Sequence, residues 1–139
     1  MIELDNRTTL NIDISLLQSI SDTLTQKEIE LIITSNNEIQ IINAECRNIN
    51  KATDVLSFPY EEMPMSPLGS IVISEDFVKE KATELGHSVS DESALLFIHG
   101  LLHLLGYDHE VDKGEMREKE KDMIELFSLP KSLIVRNQG

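Results

Sequence analysis

Three of the chain's four histidines fall within eleven residues, His99-Gly100-Leu101-Leu102-His103-Leu104-Leu105-Gly106-Tyr107-Asp108-His109, spaced H-x3-H-x5-H. An α-helix turns by about 100° per residue, so His99 and His103 lie on one face, a single turn apart. Both imidazoles can then point at one metal ion. His109 lies too far along the axis to join them on an unbroken helix. Gly106 removes that obstacle, because glycine readily takes the positive φ that ends a helix and turns the chain back. His109 can then arrive from the following loop as a third ligand. Three neutral nitrogens, with a fourth position left for water, describe a catalytic zinc site better than a structural one. The plain alternative for a histidine on an apolar helix is a buried, hydrogen-bonded core residue. The chain has just one other histidine, so chance clustering is a poor account of this segment.

Histidine ligands alone leave zinc its full double positive charge. That charge acidifies a bound water and polarises a phosphoryl or carbonyl oxygen, so hydrolysis is the expected class. Nickel, copper, cobalt and iron also accept such ligands. One Zn2+ is expected here on tetrahedral geometry and because no redox partner is visible. The spacing also looks like the metalloprotease pattern H-E-x-x-H-x-x-G-x-x-H, where the residue after the first histidine is the glutamate base. Here that residue is Gly100, which cannot take a proton. The substitution favours phosphodiester cleavage, with a metallopeptidase-like or other zinc hydrolase as the alternative if a base comes from elsewhere. Asp108 can orient a ligand from behind or serve a turn. Tyr107 is expected to pack, and His87 to sit in a loop between helices.

The composition narrows the partners. The chain has 139 residues, 40% hydrophobic, read as one domain over residues 1–139 that is able to bury a real core. Its first residues carry neither a basic nor an apolar leader segment. The longest apolar stretch, Ala94 to Leu105, is too short to span a bilayer. One cysteine, Cys46, allows no internal disulfide, which fits a cytoplasmic protein; it reads as a small buried hydrophobe. The formal net charge of −13 argues against general affinity for nucleic acid, but not against a nucleic-acid substrate held at a local basic site beside a metal.

These residues need elements to position them. Met1–Asp5 reads as a short strand, and Asp13 as the cap of a helix that ends before Thr25. Glu28–Thr34 alternates and is rich in isoleucine, which predicts a strand. Asn36 or Asn37 is expected to cap a helix over Glu38–Arg47, with Ile39, Ile42 and Ala44 inward. Asp54–Phe58 reads as a strand stopped by Pro59, Tyr60–Pro67 as a loop, and Gly69–Ser74 as another strand. Ser74 can cap a helix that Gly86 ends, and Ser90 a helix running to Leu105, with Asp91 and Glu92 favourably placed in its first turn. A last helix over about Gly114–Phe127 has a mixed-charge run, Glu115 to Asp122, expected to be a solvated face. Ser132–Arg136 is a short strand or a tail. The order β-α-β-α-β-β followed by helices predicts an α+β fold. Its small mixed, mostly parallel sheet would pack with helices around a central, almost wholly apolar histidine helix.

The string His99 to His109 resembles the signature HGxLHLxGYDH of the YbeY family of bacterial endoribonucleases. Thr53-Asp54-Val55-Leu56-Ser57-Phe58-Pro59 looks like the family's TDVLSFP, and Leu68 to Ser74 like its LGDIxIS. The resemblance runs from about Ile42 to Phe127. It implies a single-strand-specific endoribonuclease acting in 16S ribosomal RNA 3′-end maturation and ribosome quality control. It implies zinc on His99, His103 and His109, ribosomal RNA precursor as substrate, and a ribosomal subunit or assembly proteins as partners, with neither DNA nor membrane. The family's arginine before TDVLSFP maps to Arg47, and its lysine to Lys51. A forked guanidinium there suits phosphate oxygens, so Arg47 is expected to stabilise transition-state charge. Ser70, Cys46 and Asn50 depart from the family's usual aspartate, tyrosine and aspartate.

Overall fold

A computed structural model of the chain describes residues 1–61, 66–108 and 111–130. Nine elements follow in the expected order: β1 (Ile2–Asn6), α1 (Ile14–Leu24), β2 (Ile29–Thr34), α2 (Asn36–Arg47), β3 (Val55–Pro59), β4 (Gly69–Ser74), α3 (Glu75–Leu85), α4 (Val89–Leu104) and α5 (Glu115–Leu126). The expected strand or tail at Ser132–Arg136 lies outside the described residues, as does part of the Tyr60–Pro67 loop.

The strands form one four-stranded sheet in the order β1-β2-β4-β3. β1, β2 and β4 run parallel, and β3 pairs antiparallel to β4 at the sheet's edge. This is the α+β, mostly parallel sheet read from the sequence. Side chains alternate across it. Ile29, Leu31, Ile33, Ile71 and Ile73 join the large core, together with Leu17 and Ile20 of α1, Val78 of α3, most of α4, and Met116, Met123 and Ile124 of α5. Leu56 and Val72 point to the other face, where Ile39 of α2 covers them. α4 is buried almost throughout from Glu92 to Leu104, which makes it the central helix. No helix among the described residues is long and apolar enough to cross a membrane.

Helix starts differ from expectation at two places. α2 is capped by Ser35, not Asn36 or Asn37: Ser35 Oγ accepts from the Glu38 N–H at 3.3 Å. Asn36 is occupied elsewhere, donating its N–H to Asp76 and accepting from the Ser74 hydroxyl, which ties α2 to α3. Glu38 turns to the Thr34 hydroxyl and the Arg7 guanidinium, in that order of effect, and these hold its carboxyl below the usual range. α4 begins two residues early, on Ser88, whose Oγ accepts from the Asp91 N–H at 3.0 Å. Asp91 and Glu92 stand in the first turn as expected, but Glu92 is buried, where it meets His87 Nε2 at 2.9 Å.

α4 lies on β3 and β4, and Gly100 is set close against both strands. A Cβ there would come within 2.9 Å of Ile71 Cγ2 and 3.1 Å of Ser57 Oγ. The Ser57 hydroxyl donates to the Gly100 carbonyl at 3.0 Å. The glycine is therefore a packing requirement. Overpacking a buried contact costs about 1–3 kcal/mol, and alanine's better helix propensity returns about 1 kcal/mol. Gly100→Ala is expected to lose a net of up to ~2 kcal/mol, read as a lower urea midpoint at unchanged m-value.

Candidate functional site

His99 and His103 stand one turn apart on α4, both half-buried. Their Nε2 atoms are 3.2 Å apart, and the rings meet at 81° with centroids 4.7 Å apart. The other nitrogen of each ring faces an acceptor. His103 Nδ1–H donates to the Tyr107 carbonyl at 3.1 Å. The helix end makes this contact. Gly106 takes φ +99°, its N–H reaches the His103 carbonyl, and the Tyr107 N–H returns to Leu102 at 3.0 Å. That double closure is the Schellman turn. The glycine expected to turn the chain back does so, and it also brings the acceptor that fixes His103. His109, the expected third ligand, lies outside the described residues, and among the described ones no group of three His, Cys, Asp or Glu side chains is placed to hold a metal ion.

His99 Nδ1–H donates to Glu120 Oε1 of α5 at 2.9 Å. Glu120 is 4% exposed, so the mixed-charge run is not wholly a solvated face. A signal for this was present. Met116, Glu120, Met123 and Ile124 follow the i, i+4, i+7, i+8 spacing of a buried stripe, and all four are buried. Glu120 is thus a carboxyl at a core position. It also alters the expected charge of the site, since a carboxyl stands one hydrogen bond behind an otherwise all-histidine ligand pair.

The donor set fits a metal ion. Both Nδ1 atoms are turned to acceptors, and both Nε2 atoms converge. This is the orientation in which imidazole pairs bind Zn2+, with the rear nitrogen held by a carboxylate or carbonyl.

The histidines open on a cleft of about 570 Å³ that runs along β3. Arg47, Cys46, Asp54, Ser57 and Asp108 line it with them. Arg47 is 52 positions before His99 in the chain, and the last turn of α2 delivers it to the same cleft. Cys46 is exposed, contrary to the buried hydrophobe expected, because this last turn borders the cleft and not the core. His87 does not line the cleft; it is engaged with Glu92 at the α3–α4 turn.

A sequence model of the family described as Endoribonuclease YbeY matches residues 3–128. The chain belongs to the YbeY family. The protein named Endoribonuclease YbeY from Sulfurimonas denitrificans is 64% identical over 139 residues, covering all of both chains. That from Helicobacter pylori J99 is 54% identical over 139 residues, covering 99% of each. The solution structure of TM1509 from Thermotoga maritima matches with a TM-score of 0.62 at 30% identity, covering 91% of this chain and 89% of that one.

The YbeY stretches now have places in space. Thr53 to Pro59 forms the β3 wall of the cleft. Ser70 lies on the face of β4 opposite to Ile71 and Gly100, in register with Glu30, so it points away from α4. There Tyr60 donates its hydroxyl to Glu30 at 2.7 Å, which pushes the phenol's pKa up. The serine at this position therefore leaves the histidine face unchanged. Cys46 supplies a reporter of the cleft. The native protein is expected to show one reactive thiol with a disulfide reagent in the absence of denaturant, and Cys46→Ser to show none.

Proposed function

We propose that this chain is a metal-dependent endoribonuclease specific for single-stranded RNA, acting in 16S ribosomal RNA 3′-end maturation and ribosome quality control in the cytoplasm. Membership of the endoribonuclease YbeY family supports cleavage of RNA. The observation that carries the metal reading is the convergence of His99 and His103 Nε2, with their rear nitrogens bonded to Glu120 and Tyr107. His99, His103 and His109 would hold one Zn2+. When bound, the metal supplies Lewis acidity for the phosphoryl oxygen and for water.

The chain's own residues do the rest. Arg47, in the same cleft, binds non-bridging phosphate oxygens through its forked N–H groups and meets the charge that develops at phosphorus. A net charge of −13 makes the rest of the surface repel phosphate. Affinity then comes from ribosomal RNA precursor presented by a ribosomal subunit or assembly proteins.

Metal analysis of the purified protein and cleavage of a ribosomal RNA precursor, with and without chelator, test the reading. His99→Ala and His103→Ala are expected to lose metal and cleavage together. Arg47→Ala is expected to keep the metal and to cleave about 10²–10³-fold more slowly, as when one charge-stabilising donor is removed. Unchanged cleavage by these variants overturns the assignment, and chelator-sensitive peptide cleavage would favour the metallopeptidase-like alternative. The isolated chain is expected to bind arbitrary single-stranded RNA weakly at physiological salt and more tightly as salt falls; binding by filter retention across a salt series checks this.

A further inference from the structure

We propose that Glu120 is a positioning residue: it fixes the His99 imidazole for metal binding and so ties the affinity of the site to helix α5. The inference rests on the metal reading above. Its basis is the way Glu120 is held. The carboxyl comes from an element 21 residues away and is 4% exposed, and its Oε1 meets His99 Nδ1 at 2.9 Å. Its Oε2 is buried without a hydrogen-bond partner among the described residues. Its companions on the same stripe are Met116, Met123 and Ile124.

A buried carboxyl is unfavourable unless it is bonded, and packing does not ask for one in a stripe of methionine and isoleucine. An apolar side chain would fill the position without that cost. The bond to His99 is what the carboxyl contributes. A carboxylate accepts and does not donate, so the neutral imidazole keeps its proton on Nδ1 and its lone pair on Nε2. That lone pair then faces Nε2 of His103, which the Tyr107 carbonyl orients in the same way. The two histidines are thus set by different devices. His103 is set by the end of its own helix, and His99 by a residue of the next one.

The test compares wild type with Glu120→Gln, which removes the charge at constant shape, and Glu120→Leu, which removes the acceptor. Cobalt(II) titration followed by visible absorption reads metal affinity without RNA. Long-range ¹H–¹⁵N correlation of the metal-free protein at alkaline pH reads the His99 tautomer. Thermal melts of the metal-free forms report folding. The expected result is a loss of cobalt affinity of roughly 10–100-fold, larger for Glu120→Leu, with His99 shifting toward the Nε2–H tautomer in Glu120→Leu and the metal-free fold retained. If Glu120→Leu fails to fold, the affinity of Glu120→Gln decides. Variants that bind cobalt as tightly as a metal-binding wild type overturn this inference alone. A wild-type chain that binds no cobalt overturns the metal reading and this inference with it.

Discussion

The contact between α4 and the β3–β4 edge of the sheet governs the rest of the molecule. At Gly100 the helix comes so close to Ile71 and Ser57 that a side chain would have no room. The Ser57 hydroxyl fastens the helix backbone there at 3.0 Å. With position 100 turned to the sheet, its neighbour His99 and the residue one turn on, His103, turn to the cleft. The close contact at Gly100 joins the packing of the buried face of α4 in setting which way the histidines turn. In the sequence, Gly100 stands out as the place where a metalloprotease has its base. In the structure it is first a packing element.

Around this contact the site is assembled from parts with different physical origins. The helix end supplies the Tyr107 carbonyl through backbone geometry at Gly106. α5 supplies the Glu120 carboxyl through a buried stripe. α2 supplies Arg47 through a last turn that overhangs the cleft. Only the first of these is local in sequence. The result places a carboxyl behind the His99 ring and a guanidinium in the same cleft, on a chain whose overall charge is strongly negative. A local field opposed to the global one suits a site that must admit a phosphate while the surrounding surface repels it.

Much of this was legible in the residues. Element order, the parallel bias of the sheet and the centrality of α4 follow from isoleucine-rich alternation and from a helix apolar on all sides. The glycine at 106 announced a helix end, and φ +99° is the conformation that glycine adopts without strain. Serines at 35 and 88 take the caps expected at Asn36 or Asn37 and at Ser90. Asn36 is drawn to Asp76 of α3 and to Ser74 at the end of β4, a choice invisible to local propensity.

By itself, the sequence determined the spacing that puts His99 and His103 on one face, the turn that follows them, and the family to which the chain belongs. These are short-range facts, dictated by 3.6 residues per turn and by the freedom of glycine. The tertiary structure alone decided that Glu120 leaves a charged run to enter the core, that Cys46 faces a cleft, and that Arg47 meets the histidines across it. Each of these depends on which face of a helix meets the sheet or another helix. That is fixed by packing among residues distant in the chain, and no local pattern of charge records it.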